Sequence, residues 1–203
     1  MLRENFRHET NLMKPASKHA FTLIELLVVI SIIGILAALA IPAVAGALVK
    51  GQQTGTLNNA RQLQLATFNV NLENEAAGVA SAWPATNVAF AAWRNSLTNV
   101  LTESDLRKMF SAPRVSVTNA LAAAMTDTAF NVYQVGNLED SGTVFITTRN
   151  WNAATPTTLP TPTAIPYGDK GVIVMRKGGD GQVYQQRFLG TNAAPTNQPA
   201  LAP

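Results

Sequence analysis

From position 26 to position 49 the chain runs for 24 residues without a charged side chain, mostly through Leu, Ile, Val and Ala. About 20 apolar residues suffice to cross a bilayer as a helix, so the pattern predicts a membrane-spanning helix over 21–50. One carboxylate, Glu25, stands at the entrance of this run, where a charge is unfavourable and needs a reason. Pro42 lacks an amide hydrogen and crowds the preceding turn, which predicts a kinked or loosened helix there. Gly46, Gly51 and Gly55 follow, each costing about 1 kcal/mol of helix stability against alanine. Beyond them the continuous run gives way to a period. Leu57, Leu65, Phe68, Leu72, Ala76 and Val79 recur near 3.6 residues, Arg61 falls at one gap, and Asn58, Asn59, Gln62, Asn69 and Glu73 take other faces. This predicts an amphipathic stem over 51–80, the second half of one long helix, whose apolar stripe packs on a globular head. Gly78 and Trp83-Pro84 end it.

The remaining pattern predicts an α+β head over 81–190. Thr102-Glu103-Ser104-Asp105, followed by Leu106, Met109 and Phe110, reads as a capped short helix stopped by Pro113, and 118–125 reads as a second. Four segments rich in Val, Ile, Tyr, Phe and Thr follow, at 131–135, 143–148, 171–176 and 182–188. Glu139-Asp140-Ser141-Gly142 and Gly178-Gly179-Asp180-Gly181 supply turns between them, predicting a small antiparallel sheet laid on the stem helix. Between the second and third segments, Pro156, Pro160, Pro162 and Pro166 stand among threonines and predict an exposed, extended loop. The Pro-, Ala- and Asn-rich stretch 191–203 reads as a disordered tail. Trp83, Trp93 and Trp151 read as packing residues.

Charge orients the chain. Arg3, Arg7, Lys14 and Lys18 precede the apolar run, whereas only Lys50 and Arg61 follow within a similar distance. That bias predicts a single-pass segment with its amino terminus in the cytoplasm and the rest of the chain outside. No Lys/Arg stripe suggests nucleic acid. There is no cysteine, so an exported head must be stable without disulfides.

Catalytic chemistry is sparse. The two histidines, His8 and His19, both precede the apolar run. A chain shortened at Ala20 would hold neither histidine nor cysteine, which excludes the usual nucleophile–base pairs and zinc sites. The chain therefore reads as a non-enzyme without cofactor or metal. Asp169 and Asp180 could lend oxygens to calcium, but isolated aspartates beside glycines ordinarily make turns.

An ordinary signal peptide would account for part of the amino terminus, because Ala43-Val44-Ala45 and Ala45-Gly46-Ala47 match small-x-small cleavage sites. A plain membrane anchor would account for the apolar run. Either would deliver an extracytoplasmic binding domain. Neither explains Phe21-Thr22-Leu23-Ile24-Glu25 as a unit. Residues 18–50 resemble the prepilin segment of type IV pilins and type II secretion pseudopilins. The resemblance implies a leader over 1–20 (or from a start at Met13), cleavage between Ala20 and Phe21, and N-methylation of Phe21. The family commonly has glycine where Ala20 stands. It also implies an assembly role for Glu25, a helix-bending role for Pro42, and a pilin-like head. The implied partners are a prepilin peptidase/methyltransferase, identical or related subunits, an inner-membrane assembly platform and membrane lipid. The implied function is a structural subunit of a pilus or pseudopilus filament, held in the inner membrane before assembly and periplasmic or on the cell surface afterwards.

Overall fold

The structure is a computed structural model and describes residues 21–85, 88–189 and 201–202. The expected leader, the Ala20 side of the cleavage point, His8, His19, Met13 and residues 191–200 of the tail lie outside the described residues. The chain divides into two compact units, Met1–Ala45 and Gly46–Pro203.

One α-helix, α1, spans Leu23–Ala76 and contains Pro42. The spanning segment and the amphipathic stem therefore belong to a single element. In the first unit its large apolar residues are exposed, Leu26, Ile30, Ile33 and Leu36 among them. Among the described residues, nothing covers the 18-residue apolar window. A helix that is apolar all round suits lipid or the packed helices of other copies. The helix ends with Gly78 in the left-handed region, at φ 68. The Gly78 amide donates to the Glu75 carbonyl at 3.2 Å and the Val79 amide to the Asn74 carbonyl at 2.8 Å. These two bonds form a Schellman closure, which satisfies carbonyls that the last turn would otherwise leave bare.

In the second unit, α1 corrects the amphipathic reading. Leu65, Phe68, Leu72 and Val79 were expected to pack on the head, yet they are 43–58% exposed. The buried face instead carries Ala60, Leu63, Ala66 and Val70 together with Gln53, Thr56, Gln64, Thr67 and Asn71. The reason is chemical. Small residues allow close approach, and the neighbouring loops present backbone carbonyls that need donors. Gln53 Nε2 donates to the Lys170 carbonyl at 3.3 Å and Gln64 Nε2 to that of Lys177 at 2.7 Å. Thr67 Oγ1 accepts from Trp93 Nε1 at 3.1 Å. A hydrophobicity pattern counts such polar residues as solvent-facing, although each is buried and paired.

Beyond α1 come α2 (Phe90–Ser96) and α3 (Glu103–Phe110). The pattern anticipated α3 with its cap: Thr102 Oγ1 accepts from the Asp105 amide, while the Asp105 carboxylate accepts from the Thr102 amide. It did not anticipate α2. The expected helix over 118–125 is absent; that stretch is turns, followed by a single 3-10 turn, Met125–Asp127. An eight-residue stretch is too short to hold a helix on propensity alone, and Ala120 and Ala123 are buried from turns instead. The sheet is an antiparallel meander in chain order, β1 (Phe130–Val132), β2 (Val144–Thr148), β3 (Val172–Arg176) and β4 (Gly181–Tyr184). The fold is therefore α+β in the pilin-like layout, a long amino-terminal apolar helix and a four-stranded antiparallel sheet. The last expected strand is shorter than its pattern, because Gln186–Phe188 turns into 3-10 geometry.

The core is aromatic. Trp83 and Trp93 both meet the Phe145 ring edge-on, at 5.1 and 5.8 Å between centroids, and Phe90 and Phe110 close around Trp93. All three tryptophans are buried. Of the expected tail, Leu201 and Ala202 are described, and they lie against the β1 edge. Leu201 bridges to Tyr133, and the Ala202 amide donates to the Val132 carbonyl at 2.9 Å.

Candidate functional site

The first turn of α1 holds the residue on which the sequence reading turned. Glu25 Oε2 accepts from the Thr22 amide at 2.8 Å and from Thr22 Oγ1 at 2.7 Å. In return the Glu25 amide donates to Thr22 Oγ1 at 3.3 Å. This is a reciprocal capping box: the hydroxyl serves an orphan helix amide, and the carboxylate three residues on serves the amide before the helix. Negative charge there also complements the positive end of the helix dipole. Thr22 was absent from the residues singled out as functional. The signal was present, since a threonine three residues before an acidic residue, opening an apolar run, is itself a helix-start signature.

Around this turn, Phe21, Ile24, Glu25, Val28 and Val29 line an open apolar cleft of about 370 Å³. Phe21 is 83% exposed and Glu25 is also exposed. The carboxylate thus sits one helical turn from the position of the expected new terminus, on a surface that no other described residue covers. An amine created at Phe21 would be four residues from Glu25, a spacing that places two side groups on one helix face. Further along, the missing Pro42 amide leaves the Ala38 carbonyl without its ordinary helical donor.

Elsewhere the candidate chemistry is committed to structure. Asp180 pairs with Arg176 at 2.6 Å, closing the β3–β4 hairpin. No group of three or more His, Cys, Asp and Glu side chains gathers among the described residues. Burial raises the Tyr133 hydroxyl above the ordinary tyrosine range, against hydrogen bonds that lower it, and Tyr167 is shifted the same way by burial. Tyr133 Oη accepts from the Ala153 amide at 2.7 Å and meets Thr147 Oγ1 at 3.0 Å. Arg94, buried against Phe90, donates to the Ala123 carbonyl and pins the irregular stretch after α3.

An apolar helix long enough to cross a membrane, with a capped carboxylate in its first turn, sets the class: a chain with a distinctive amino-terminal helix. Residues 15–41 match the family model described as the prokaryotic N-terminal methylation motif. The chain therefore carries the prepilin signature of type IV pilins and pseudopilins, a motif that points toward a structural subunit. The motif implies processing by a prepilin peptidase and pilin–pilin assembly in general, and it accords with membrane anchoring before assembly. Neither the curated proteins nor the solved structures offer a match to the chain.

Proposed function

We propose that this chain is a filament subunit, cut between Ala20 and Phe21, methylated at Phe21, and assembled from the inner membrane into a pilus or secretion pseudopilus. The observation that carries the reading is the placing of Glu25. It is a single carboxylate at the head of the uncharged run 26–49 of α1, whose apolar side chains no other described residue covers, within the residues that match the methylation motif. A carboxylate in apolar surroundings costs about 2.5–3.5 kcal/mol at a helix centre, so a partner that neutralises it is favoured. In the isolated chain Thr22 supplies two hydrogen bonds to Glu25 but no charge. The methylated amine of a neighbouring subunit would supply the charge, and matching of amine to carboxylate would set the step between subunits. The basic residues before the helix support entry with the amino terminus in the cytoplasm, which leaves the head outside.

Two measurements test this. Mass analysis of the amino-terminal peptide from the membrane fraction is expected to give a terminus at Phe21 bearing one added methyl group. A terminus near Gly46 or Leu48 would instead mean signal-peptide removal and a freely secreted head. Glu25→Ala is expected to abolish incorporation into filaments while the head stays folded. Unchanged incorporation would reduce the segment to a passive anchor and favour a membrane-anchored binding domain.

A further inference from the structure

The exposed stripe of α1 in the second unit borders a groove. Phe68, Leu72, Trp83 and Leu138 line it together with Glu75 and Lys177, and its volume is about 520 Å³. Leu138 is fully exposed, at 101%, on the loop between β1 and β2. That loop is held firmly. Lys177 Nζ donates to the carbonyls of Gly136 (2.9 Å), Asn137 (2.7 Å) and Glu139 (2.8 Å) and lies 5.7 Å from the Trp83 ring centre. Asn137 Nδ2 adds a bond to Glu75 at 2.9 Å. A leucine presented to solvent by a braced backbone, beside uncovered phenylalanine and leucine, is the composition of a docking patch.

Charge identifies what docks there. Glu73, Glu75, Glu139 and Asp140 are exposed at this end, and the ammonium of Lys177 beside them is engaged by the three carbonyls. The opposite end of the same unit is basic. The Lys170 carbonyl binds Gln53, the Lys108 carbonyl binds Asn59, and Pro113 lines a cleft with Gln52 and Gly55. This brings the exposed Lys50, Lys108, Arg114 and Lys170 to the start of the unit, with Asp169 the acid beside them. α3 keeps Glu103 and Asp105 in its first turn; its last turn, with Lys108, is the part that reaches Asn59. From Gln53 to Glu75 the helix rises about 33 Å. The unit is therefore electrically polar along α1, acidic and apolar at one end and basic at the other.

We infer that the groove takes a second copy of this chain, the basic end of one head seating on the acidic, Leu138-bearing end of the next in parallel, head-to-tail order. The inference rests on the filament reading above, since copies entering from one membrane face point the same way and can join end to end only heterologously. Such a contact repeats without closing, as a filament requires. A patch that met its own image would stop at a dimer.

The absence of native cysteine makes the test direct. Gln52→Cys marks the basic end and Ser141→Cys the acidic end; both sites are exposed and neither removes a charge. In cells that assemble the full chain, a short bismaleimide is expected to link the double variant into a ladder of multimers and to leave each single variant without one. Glu73→Lys with Glu139→Lys is expected to cut the ladder about tenfold, and adding Lys108→Glu with Lys170→Glu to restore it, because like charges across a contact reject the partner. None of these four side chains forms a hydrogen bond that the head needs, so the reversals leave the fold in place. Filaments that contain Phe21-processed chain but give no ladder would overturn the contact alone. Dimers from either single variant would replace it with a symmetric one, and a ladder indifferent to charge reversal would remove its electrostatic basis. A chain never processed at Phe21 would overturn the filament reading and this contact with it.

Discussion

Thr22 and Glu25 act as a pair, and the pair serves two ends at once. As a capping box it starts α1 without leaving orphan donors, and as a carboxylate at an apolar surface it keeps a charge available for a partner. The same motif recurs at Thr102 and Asp105, where it starts a short helix in the head. There the hydrogen bonds from Thr102 hold the Asp105 carboxyl below its ordinary range. Thr102→Ala removes that cap, and the expected cost is about 1 kcal/mol, read as a lower chemical-denaturation midpoint at neutral pH. The Asp105 pKa is depressed in the fold, so its contribution is present above the unfolded carboxyl range and fades as pH falls through the folded value. The difference between the parent chain and Thr102→Ala should accordingly shrink in acid. Both caps could be read from the chain, because a cap depends only on residues three apart.

At the scale of elements, α1 shows where pattern reading succeeds and where it stops. The apolar half, long enough to cross a membrane, was legible because uncharged length is a local property. The half in the second unit was legible as a helix but not in its facing. Leu65, Phe68 and Leu72 look like a core stripe, yet Leu63, Thr67 and Gln64 are the residues that meet the head. Which face is buried depends on which carbonyls and aromatic rings arrive from residues more than 20 positions away, and no window of sequence contains them. The two faces should respond differently to truncation. Leu63→Ala, at a fully buried position, is expected to cost about 2–5 kcal/mol of head stability. Leu65→Ala, half exposed, is expected to stay within about 0.5 kcal/mol. Paired thermal melts of the two variants check this, and equal losses would mean that the stripe is packed after all. The short sheet was legible in strand number because each strand is bounded by turn residues, while the meander order came only from the structure. The end of the last strand was not, since the geometry of Gln186–Phe188 follows from tertiary bonding rather than propensity.

Across the whole molecule two buried tyrosines give the fold a dependence on alkaline pH. Burial holds Tyr133 and Tyr167 neutral by raising both above the ordinary tyrosine range, near 10. A group whose folded pKa is raised contributes stability that is whole below the unfolded value and lost as pH climbs through the folded one. Stability should therefore hold up to about pH 10 and fall above it. Replacing both tyrosines with phenylalanine should flatten that fall, measured as the melting temperature against pH. At neutral pH the double variant should be less stable, because the Ala153 amide loses its acceptor, a loss of about 1–3 kcal/mol.

The amino-acid sequence by itself determined the uncharged apolar run, the prepilin signature, the isolated Glu25, the α3 cap and the α+β class, because each rests on composition or on spacings of a few residues. Only the tertiary structure decided which face of α1 the head covers, that Leu201 and Ala202 join the β1 edge, and that acids and bases collect at opposite ends of the second unit. The physical reason is common to all three. Burial, edge pairing and surface charge are properties of groups brought together across long stretches of chain, and the fold, not the local pattern, sets those neighbours.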